Sequence, residues 1–449
     1  MISGKLFLIL ATLAVVTVNV VGYTPLTLTK TPFNEGGQDF TWRRQAIQKL
    51  WRERREMGYT PIRKLTIPGM PDVDLLFKDE SSTKTGNLKH RFSWALYMWA
   101  LLEGHVNQNT TVFEASSGNT ATSEAYMAQL IGVPFIAVIP DTTEETKVNN
   151  IKKFGGQVLK TDISSQFQKV VLEAEKSHGF YMNQFANADK AEEFHESTRG
   201  QFESTNVMYE ILQQLKAQNL KEPDFFVHTA GTGGTISSAG RYIQKYGINT
   251  KVIMADTEFS IYYDYVINGK FKNESGADLW TKPGMAGTGF GYGGPAILSE
   301  TTSLQPSVID AAYKLPDLAS TAAMHVLREN GITGGTSTGM NFLTSLSIGS
   351  KERARKNQSP LRIVTILADS AALYEGSYYN LTWIEEKFAS HGGIPVFNCW
   401  KNVIRNSYVM GNDPLALGGE ICSKEAVMAN RSRRLRRKMS AFENYRFIW

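Results

Sequence analysis

Apolar runs that predict β-strands alternate along this chain with segments that predict helices. A strand-like run over residues 133–139 follows a helical pattern over residues 121–130, and another strand-like run covers residues 363–367. Such alternation is typical of a mostly parallel sheet with helices packed on both of its faces. The sequence therefore predicts an α/β fold.

Glycine-containing loops lie where strand-like runs give way to helical patterns. In chain order they are Lys84–Arg91 (KTGNLKHR), Ala115–Thr120 (ASSGNT) and Ala230–Thr235 (AGTGGT), and the triplet Ala368–Ser370 follows the last strand-like run. Turns of this kind present backbone N–H groups to an anion. A lysine ahead of two such loops indicates a cofactor that has both a phosphate and a carbonyl group. Pyridoxal phosphate has both.

Composition and charge describe a large globular protein. With 449 residues, of which 42% are hydrophobic and 20% charged, the chain is long enough for two domains. The formal net charge is +5, but the basic run over residues 431–438 alone contributes +6. The rest of the chain is close to neutral, so nothing in it indicates nucleic-acid binding. We interpret the basic run as a solvated tail.

The N-terminus has the pattern of a secretory signal peptide. Lys5 precedes an apolar run over residues 6–21, and the small residue Gly22 follows it. The run is short for a membrane span, which needs about 20 apolar residues. We therefore expect a secreted mature chain that begins at Tyr23 and has no stable membrane span. An uncleaved membrane anchor and a buried N-terminal helix are the alternatives.

Sequons and cysteines are compatible with secretion but do not establish it. Neither Cys399 nor Cys422 has the spacing of a zinc site, so we expect no metal, and the two could form one disulfide. The five possible N-glycosylation sites of the expected glycoprotein are Asn109, Asn273, Asn357, Asn380 and Asn430.

Lys89 is the candidate nucleophile of the first loop. An amine that bonds covalently to a carbonyl must be partly desolvated, so that it is neutral and nucleophilic. Lys89 begins a long helical pattern, and the positive end of the helix dipole disfavours the ammonium form. Alone, it could equally be a surface lysine in a cluster with Lys84 and Arg91. The two glycine loops that follow favour the catalytic interpretation.

Taken together, these motifs resemble the cysteine synthase/cystathionine β-synthase family, the fold-type II pyridoxal-phosphate enzymes. The resemblance covers about residues 60–395 in the family's own order, and it is closest to the single-domain L-cysteine desulfhydrases. The matching motifs are TGNLKHR around Lys89, SSGNT at Ser116–Thr120, GTGGT at Gly231–Thr235, QFAN at Gln184–Asn187, His195 with Thr198, GTSTGMN at Gly335–Asn341, and the final Asp-Ser370.

The resemblance implies a role for each motif. Lys89 would bind the cofactor covalently and then accept the Cα proton of the substrate, while Asn119 would donate a hydrogen bond to the ring oxygen. The phosphate would be bound by Gly231, Thr232, Gly233, Gly234 and Thr235. The substrate carboxylate would be bound by Ser116, Ser117, Gly118 and Thr120, helped by Gln184. Each loop taken singly could also be an ordinary tight turn.

The resemblance further implies two open, mostly parallel twisted sheets flanked by helices, and a homodimer. Residues 1–22 would be the signal peptide and residues 23–60 an N-terminal extension. A large cofactor-binding domain would comprise residues 61–82 and 188–395, and a small mobile domain residues 83–187. Residues 396–449 would form a C-terminal extension with the basic tail.

Ser370 would face the pyridine nitrogen in this arrangement. A hydroxyl cannot keep that nitrogen protonated as a carboxylate would, and this favours β-elimination over transamination or racemisation. Asp369 is adjacent, and neighbouring side chains of a strand point to opposite faces. A change of register by one residue would therefore exchange the hydroxyl for a carboxylate.

Three positions depart from the family pattern, and they leave two function classes open. Ala121 replaces a glycine of the second loop, while Ala371 and Leu373 replace a glycine and an arginine that usually follow Ser370. The first class is a lyase or transferase that acts at Cβ of cysteine or another small amino acid. The second is a secreted, catalytically weak cofactor-binding or interaction protein that retains the fold.

Overall fold

Two sheets organise the structure, a computed structural model that describes residues 38–193, 204–269, 284–290, 302–353 and 360–428. The strands are β1 (Ile62–Leu65), β2 (Val73–Asp79), β3 (Val112–Glu114), β4 (Phe135–Pro140), β5 (Gln157–Thr161), β6 (Phe180–Tyr181), β7 (Phe225–Thr229), β8 (Lys251–Thr257), β9 (Ala311–Leu315) and β10 (Leu361–Leu367). One sheet has the order β1-β2-β10-β7-β8-β9 and the other β5-β4-β3-β6. Every pair is parallel except β1 with β2.

Helices follow most of the strands, as the alternating pattern predicts. The helices are α1 (Gln38–Met57), α2 (Lys89–Leu102), α3 (Asn119–Ile131), α4 (Glu145–Lys153), α5 (Gln166–Lys176), α6 (Gln184–Glu193), α7 (Val207–Ala217), α8 (Gly234–Lys245), α9 (Tyr262–Asn268), α10 (Asp317–Glu329), α11 (Thr336–Glu352), α12 (Leu381–Lys387) and α13 (Gly393–Met410). Residues 414–428 are also helical. The predicted α/β class with two mostly parallel sheets is confirmed.

The six-stranded sheet is covered on both faces, and β10 shows why most of its residues are apolar. Ile363 and Leu367 belong to the core shared with α10, α11 and α13. Val364 and Ile366 point to the opposite core, which contains residues of α7 and α8. A strand buried on both faces reads as a continuous hydrophobic run, not as an alternating one. This burial places the end of β10 in the middle of the molecule.

The four-stranded sheet has its own core and is built from residues between 112 and 181. On one face, α2 and α3 pack together and bury residues such as Tyr97 and Phe135. On the other face, α5 contributes Val170 to a smaller cluster with Phe113 and Val138. The two helices that begin at Lys89 and Asn119 are therefore anchored in this second unit.

Five charged side chains are buried together where α1, β2, α2 and α7 meet. Arg91 donates to Glu80 and to Glu210 at 2.8 Å each, and the Lys78 ammonium lies 3.0 Å from Glu210. Arg54 of α1 completes the cluster by pairing with Glu210. Burial alone would raise the pKa of Glu210, but Arg91, Lys78 and Arg54 lower it to about 2. We call these five residues the buried charge network.

The C-terminal helices are built into the core of the six-stranded unit. Phe397 and Trp400 of α13 pack in the core that contains α10 and α11. A disulfide joins Cys399 of α13 to Cys422 in the helix over residues 414–428. Gly418 of that helix lies against Trp400 so closely that a Cβ there would be 1.9 Å from the indole ring. The disulfide and this contact hold the last described helix on α13.

Several sequence predictions fall outside the described residues. They are the signal peptide over 1–22, His195, Thr198, the sequons at Asn273, Asn357 and Asn430, and the basic run over 431–438. Among the residues that are described, none of the helices has both the length and the apolar character needed to span a membrane.

The buried charge network predicts a large effect of neutralising Glu210. In a Glu210→Gln variant, Arg54, Lys78 and Arg91 would face Glu80 as the remaining carboxylate of the network. Removing one partner from a buried ion-pair cluster leaves uncompensated charge, so we expect the free energy of unfolding to fall by about 3–5 kcal/mol. Urea denaturation followed by circular dichroism measures this change.

Glu420→Gln is the matched control, because Glu420 forms an exposed pair with Lys424 at i, i+4. We expect this exposed substitution to change the free energy of unfolding by less than about 0.5 kcal/mol. Equal effects of the two substitutions would show that the network contributes no more than a surface pair.

Candidate active site

A cavity lies between the two sheets, at the carboxyl ends of β7 and β10. Open α/β sheets bind ligands at this edge, where the loops after the strands meet helix N-termini. Of the residues predicted from the sequence, the structure brings six together around the cavity: Lys89, Asn119, Gly231, Thr232, Gly233 and Thr235. Gly234 is the first residue of α8 in the same loop. Predicted residues from three separate loops therefore lie around one cavity.

The loop before α8 has the shape of an anion-binding cradle. Gly233 has φ +86°, and a Cβ on it would lie 2.3 Å from the backbone nitrogen of Leu304. A Cβ on Gly231 would lie 2.7 Å from the carbonyl oxygen of Gly287. The first N–H groups of a helix have no intrahelical acceptor and carry the positive end of its dipole. Glycine is thus required where the chain folds tightly around the start of α8.

Lys89 is held at the cavity by the loop that precedes it. The Leu88 N–H donates to the Ala368 carbonyl at 2.6 Å, and the Lys89 N–H donates to the Asn87 side chain at 2.9 Å. The half-buried Lys89 ammonium lies 5.0 Å from the centre of the Phe92 ring. The end of β10 therefore fixes the start of α2 and the direction of its first side chain.

Lys84 of the same loop points elsewhere. Its exposed ammonium pairs with Glu53 at 2.8 Å and with Glu56 at 2.7 Å. Burial alone would lower the pKa of Lys84, but the bonds to these two carboxylates raise it overall. Lys84 is a surface cation, and Lys89 is the lysine of this loop that lines the cavity.

The second loop is connected to Gln184, its predicted helper. Thr120 donates from Oγ1 to Gln184 Oε1 at 2.6 Å, and the Gln184 backbone N–H donates to Glu114 at 3.0 Å. Burial raises the pKa of Glu114 to about 7, although the bonds from Gln184 and Ala115 oppose this rise. The half-buried residues Ser116, Ser117 and Gly118 complete the loop but are not among those that line the cavity.

Ser370 is the predicted residue that the structure corrects. It is exposed, and its Oγ accepts a hydrogen bond from the Ala372 N–H at 3.3 Å. Asp369 lines the cavity instead and is 2% exposed. Consecutive side chains leave the end of a strand in opposite directions, so only one of the two can face inward. The register of β10 brings the carboxylate to the cavity and the hydroxyl to solvent.

His228 is a cavity residue that the sequence reasoning missed. It lies on β7, and burial together with the charge of Lys89 lowers its pKa to about 3. Asn341 donates from Nδ2 to the Ile366 carbonyl at 3.0 Å, and the same nitrogen lies 3.3 Å from His228 Nδ1. Since a carbonyl can only accept, this bond fixes the amide orientation and makes Nδ1 the acceptor. A histidine three residues before the first glycine of the loop, Gly231, was the available signal.

The residues present fit pyridoxal phosphate. The glycine cradle at the start of α8 supplies donors for a phosphate, and Lys89 supplies an amine for a carbonyl in the same cavity. The described residues contain no group of three or more His, Cys, Asp or Glu side chains that could hold a metal ion. The donor set is therefore that of an anionic, carbonyl-containing cofactor.

Comparison with known proteins agrees with this chemistry. Residues 54–369 match the profile of a family described as pyridoxal-phosphate dependent enzyme. A Caenorhabditis elegans protein named as pyridoxal-phosphate dependent is 50% identical over 388 residues, which is 85% of this chain and 89% of that protein. The L-cysteine desulfhydrase of Mycobacterium tuberculosis is 34% identical over 350 residues, 77% of this chain and 90% of that protein.

Solved structures share the fold. A hydrogen sulfide-producing enzyme of Fusobacterium nucleatum is 25% identical, with a TM-score of 0.56 over 72% of this chain and 98% of that one. An O-ureido-L-serine synthase is 22% identical, with a TM-score of 0.59 over 72% of this chain and 93% of that one. The second similarity concerns the fold alone.

The cradle predicts that Gly233→Ala weakens cofactor binding. The added methyl group would meet the Leu304 backbone at 2.3 Å, so the start of α8 must shift. We expect the affinity for pyridoxal phosphate to fall at least about tenfold, because the backbone donors lose their alignment. Fluorescence titration of the cofactor-free protein with pyridoxal phosphate measures the affinity.

Gly247→Ala is the control for this substitution. Gly247 also has positive φ, +63°, but nothing lies within 4 Å of an added Cβ. This variant should therefore carry the backbone strain of about 1 kcal/mol without a loss of affinity. A similar loss in both variants would mean that strain, and not the cradle, determines binding.

Proposed function

The chain belongs to the family of pyridoxal-phosphate dependent enzymes, and we propose that it catalyses β-elimination or β-replacement on cysteine or a related small amino acid. Its cofactor is pyridoxal phosphate, and its type is that of the carbon–sulfur lyases and cysteine synthase-like enzymes. The observation that carries the proposal is the position of Lys89, which lines one cavity together with the glycine cradle of α8. Relatives named for cysteine chemistry support this substrate class.

The residues of the cavity would divide the work in the following way. The Gly231–Thr235 loop would hold the phosphate, and Asn119 would contact the ring oxygen. When bound, the cofactor withdraws electrons from the α-carbon of the amino acid and so eases removal of its proton. The Lys89 amine would bind the cofactor and then accept that proton at Nζ.

The substrate carboxylate would be bound by the Ser116–Thr120 loop, with Gln184 holding Thr120 in place. Addition of a second nucleophile at Cβ after loss of the β-substituent would give replacement. Without such an addition, hydrolysis by water would release pyruvate and ammonia, which is elimination. The sequence argument for elimination rested on a hydroxyl at Ser370, and it does not carry over to a cavity that contains Asp369 instead.

A catalytically weak, secreted binding protein is not favoured as the alternative. Ala121 replaces a glycine of the family pattern, but it is fully buried in the core between α2 and α3. Ala371 is 6% exposed in the turn after β10 and is likewise accommodated by packing. Neither methyl group is among the residues that line the cavity.

The substitution Lys89→Ala tests the proposal most directly. Lys89 contributes no side chain to the hydrophobic cores, so the variant should fold normally. It should lose the visible absorbance of the bound cofactor and the release of sulfide and pyruvate from cysteine, because among the described residues Lys89 is the amine that lines the cavity. Absorbance spectra and a cysteine assay, with and without a thiol acceptor, measure both properties.

Lys84→Ala is the control, since Lys84 is five residues earlier and pairs with Glu53 and Glu56 at the surface. It should retain the absorbance and the turnover. Loss of absorbance in Lys84→Ala with retention in Lys89→Ala would mean that the motif was assigned in the wrong register. Retention in both would overturn the proposed role of this loop.

We also propose that the protein enters the secretory pathway and that its mature chain begins at Tyr23. The Lys5 and apolar-run pattern supports this, and so does the Cys399–Cys422 disulfide, since such bonds persist in oxidising compartments. A homodimer is proposed from the family resemblance. N-terminal sequencing of protein purified from its source should begin at Tyr23, and an intact Met1 in a cytosolic fraction would contradict the proposal.

A further inference from the structure

One hydrogen bond crosses the cavity between the two sheets. Asn119 begins α3, which belongs to the four-stranded unit, and Asp369 follows β10 of the six-stranded sheet. Asn119 Nδ2 donates to Asp369 Oδ2 at 2.7 Å. The bond joins residues 250 positions apart and lies directly at the cavity wall. It connects the predicted substrate loop to the opposite side of the site.

Asp369 is itself firmly anchored on the six-stranded side. Its Oδ1 accepts from the Gly335 N–H at 3.1 Å, and its Oδ2 accepts from the Tyr374 hydroxyl at 2.6 Å. A Cβ on Gly335 would lie 2.4 Å from Asp369 Oδ1, so this position needs glycine for the carboxylate to fit. Three donors from three different segments thus converge on one buried carboxylate.

The backbone around Asp369 holds the loop that carries Lys89. Asp369 forms a β-bridge with Asn87, and the Ala368 carbonyl accepts from the Leu88 N–H at 2.6 Å. The main chain at the end of β10 therefore positions Lys89, while the Asp369 side chain positions Asn119. The end of β10 thus contacts both the loop of Lys89 and the start of α3.

We propose that Asp369 is a positioning residue. Its carboxylate is anchored by Gly335 and Tyr374. It holds Asn119, and with it the Ser116–Thr120 loop, in a fixed position relative to Lys89. The inference rests on the proposed function for its catalytic consequence. A carboxylate suits this position because it offers acceptor sites to several donors at once, whereas a serine hydroxyl would satisfy fewer. Asp369 acts through the loops that it joins.

The substitution Asp369→Ala should release both sides of this contact. We expect amide hydrogen exchange to become at least about tenfold faster at residues 119–123 and at residues 335–337, because the N-terminal turns of α3 and α11 lose a common partner. The absorbance of the bound cofactor should persist, since Lys89 and the glycine cradle remain. The KM for cysteine should rise at least about tenfold, because the substrate loop is no longer held.

Two further variants separate positioning from general destabilisation. Asn119→Ala should accelerate exchange at residues 119–123 but leave residues 335–337 protected, since the bond between Asp369 and Gly335 stays intact. The double variant Asn119→Asp/Asp369→Asn exchanges donor and acceptor across the same gap. It should restore protection at residues 119–123 to within about threefold of the native protein, whatever its turnover.

Asp256→Asn is the matched control. Asp256 is a fully buried carboxylate of the same sheet that accepts from the Thr257 and Tyr263 N–H groups and does not line the cavity. It should leave exchange at residues 119–123 unchanged. Equal acceleration in Asp256→Asn and Asp369→Ala, or no acceleration in Asp369→Ala, would overturn the proposal.

The measurements also distinguish this proposal from the proposed function. Hydrogen exchange requires no turnover, so it tests the contact even if cysteine is not the substrate. Loss of cofactor absorbance in Asp369→Ala with unchanged exchange would assign Asp369 to the cofactor and overturn the positioning role. Should Asp369→Ala fail to fold, Asn119→Ala and the double variant still give opposite expected results for residues 119–123.

Discussion

The buried charge network is the interaction on which the position of the site depends. Arg91 lies two residues after Lys89 on α2, and its guanidinium is bound by Glu80 and Glu210. His90, directly after Lys89, lies 3.0 Å from Glu53 of α1 and is also buried. Successive helix residues point in directions about 100° apart, so fixing these two neighbours inward directs Lys89 toward the cavity. Together with the bond from Leu88 to the end of β10, these polar contacts set where the amine lies.

The fold class and most of the site could be predicted because their signals are local. Strand-like runs such as residues 363–367 are buried on both faces in the structure, and each glycine loop leads into the helix that the pattern predicts. The cradle residues follow from chain geometry, since only glycine tolerates the conformation at Gly233. In the sequence, the glycine loops that follow are the reason to prefer Lys89 over Lys84 as the candidate nucleophile. In the structure, Lys89 lines the cavity, whereas Lys84 forms ion pairs at the surface.

The remaining features depend on pairings between distant segments. Asp369, and not Ser370, faces the cavity because β10 is paired on both sides and because Asn87 bridges to its end. A one-residue register is invisible in the sequence, where the two side chains are simply adjacent. Glu80 and Glu210 likewise read as ordinary surface charges, since 130 positions separate the two carboxylates that share Arg91. His228 was identified as a cavity residue only from the structure, in which β7 brings it to the cavity that Lys89 also lines.

The contact between the first hairpin and α13 has a consequence for the order of folding. The Gly69 N–H donates to the Tyr408 carbonyl at 3.0 Å, and the Tyr408 hydroxyl donates to the Thr66 carbonyl at 2.7 Å. The hairpin of β1 and β2 also needs β10 as the neighbour of β2. During synthesis the hairpin is made early, but its partners emerge from the ribosome some 300 residues later. The six-stranded sheet must therefore close after translation is nearly complete, whereas the four-stranded unit can form while the chain is still growing.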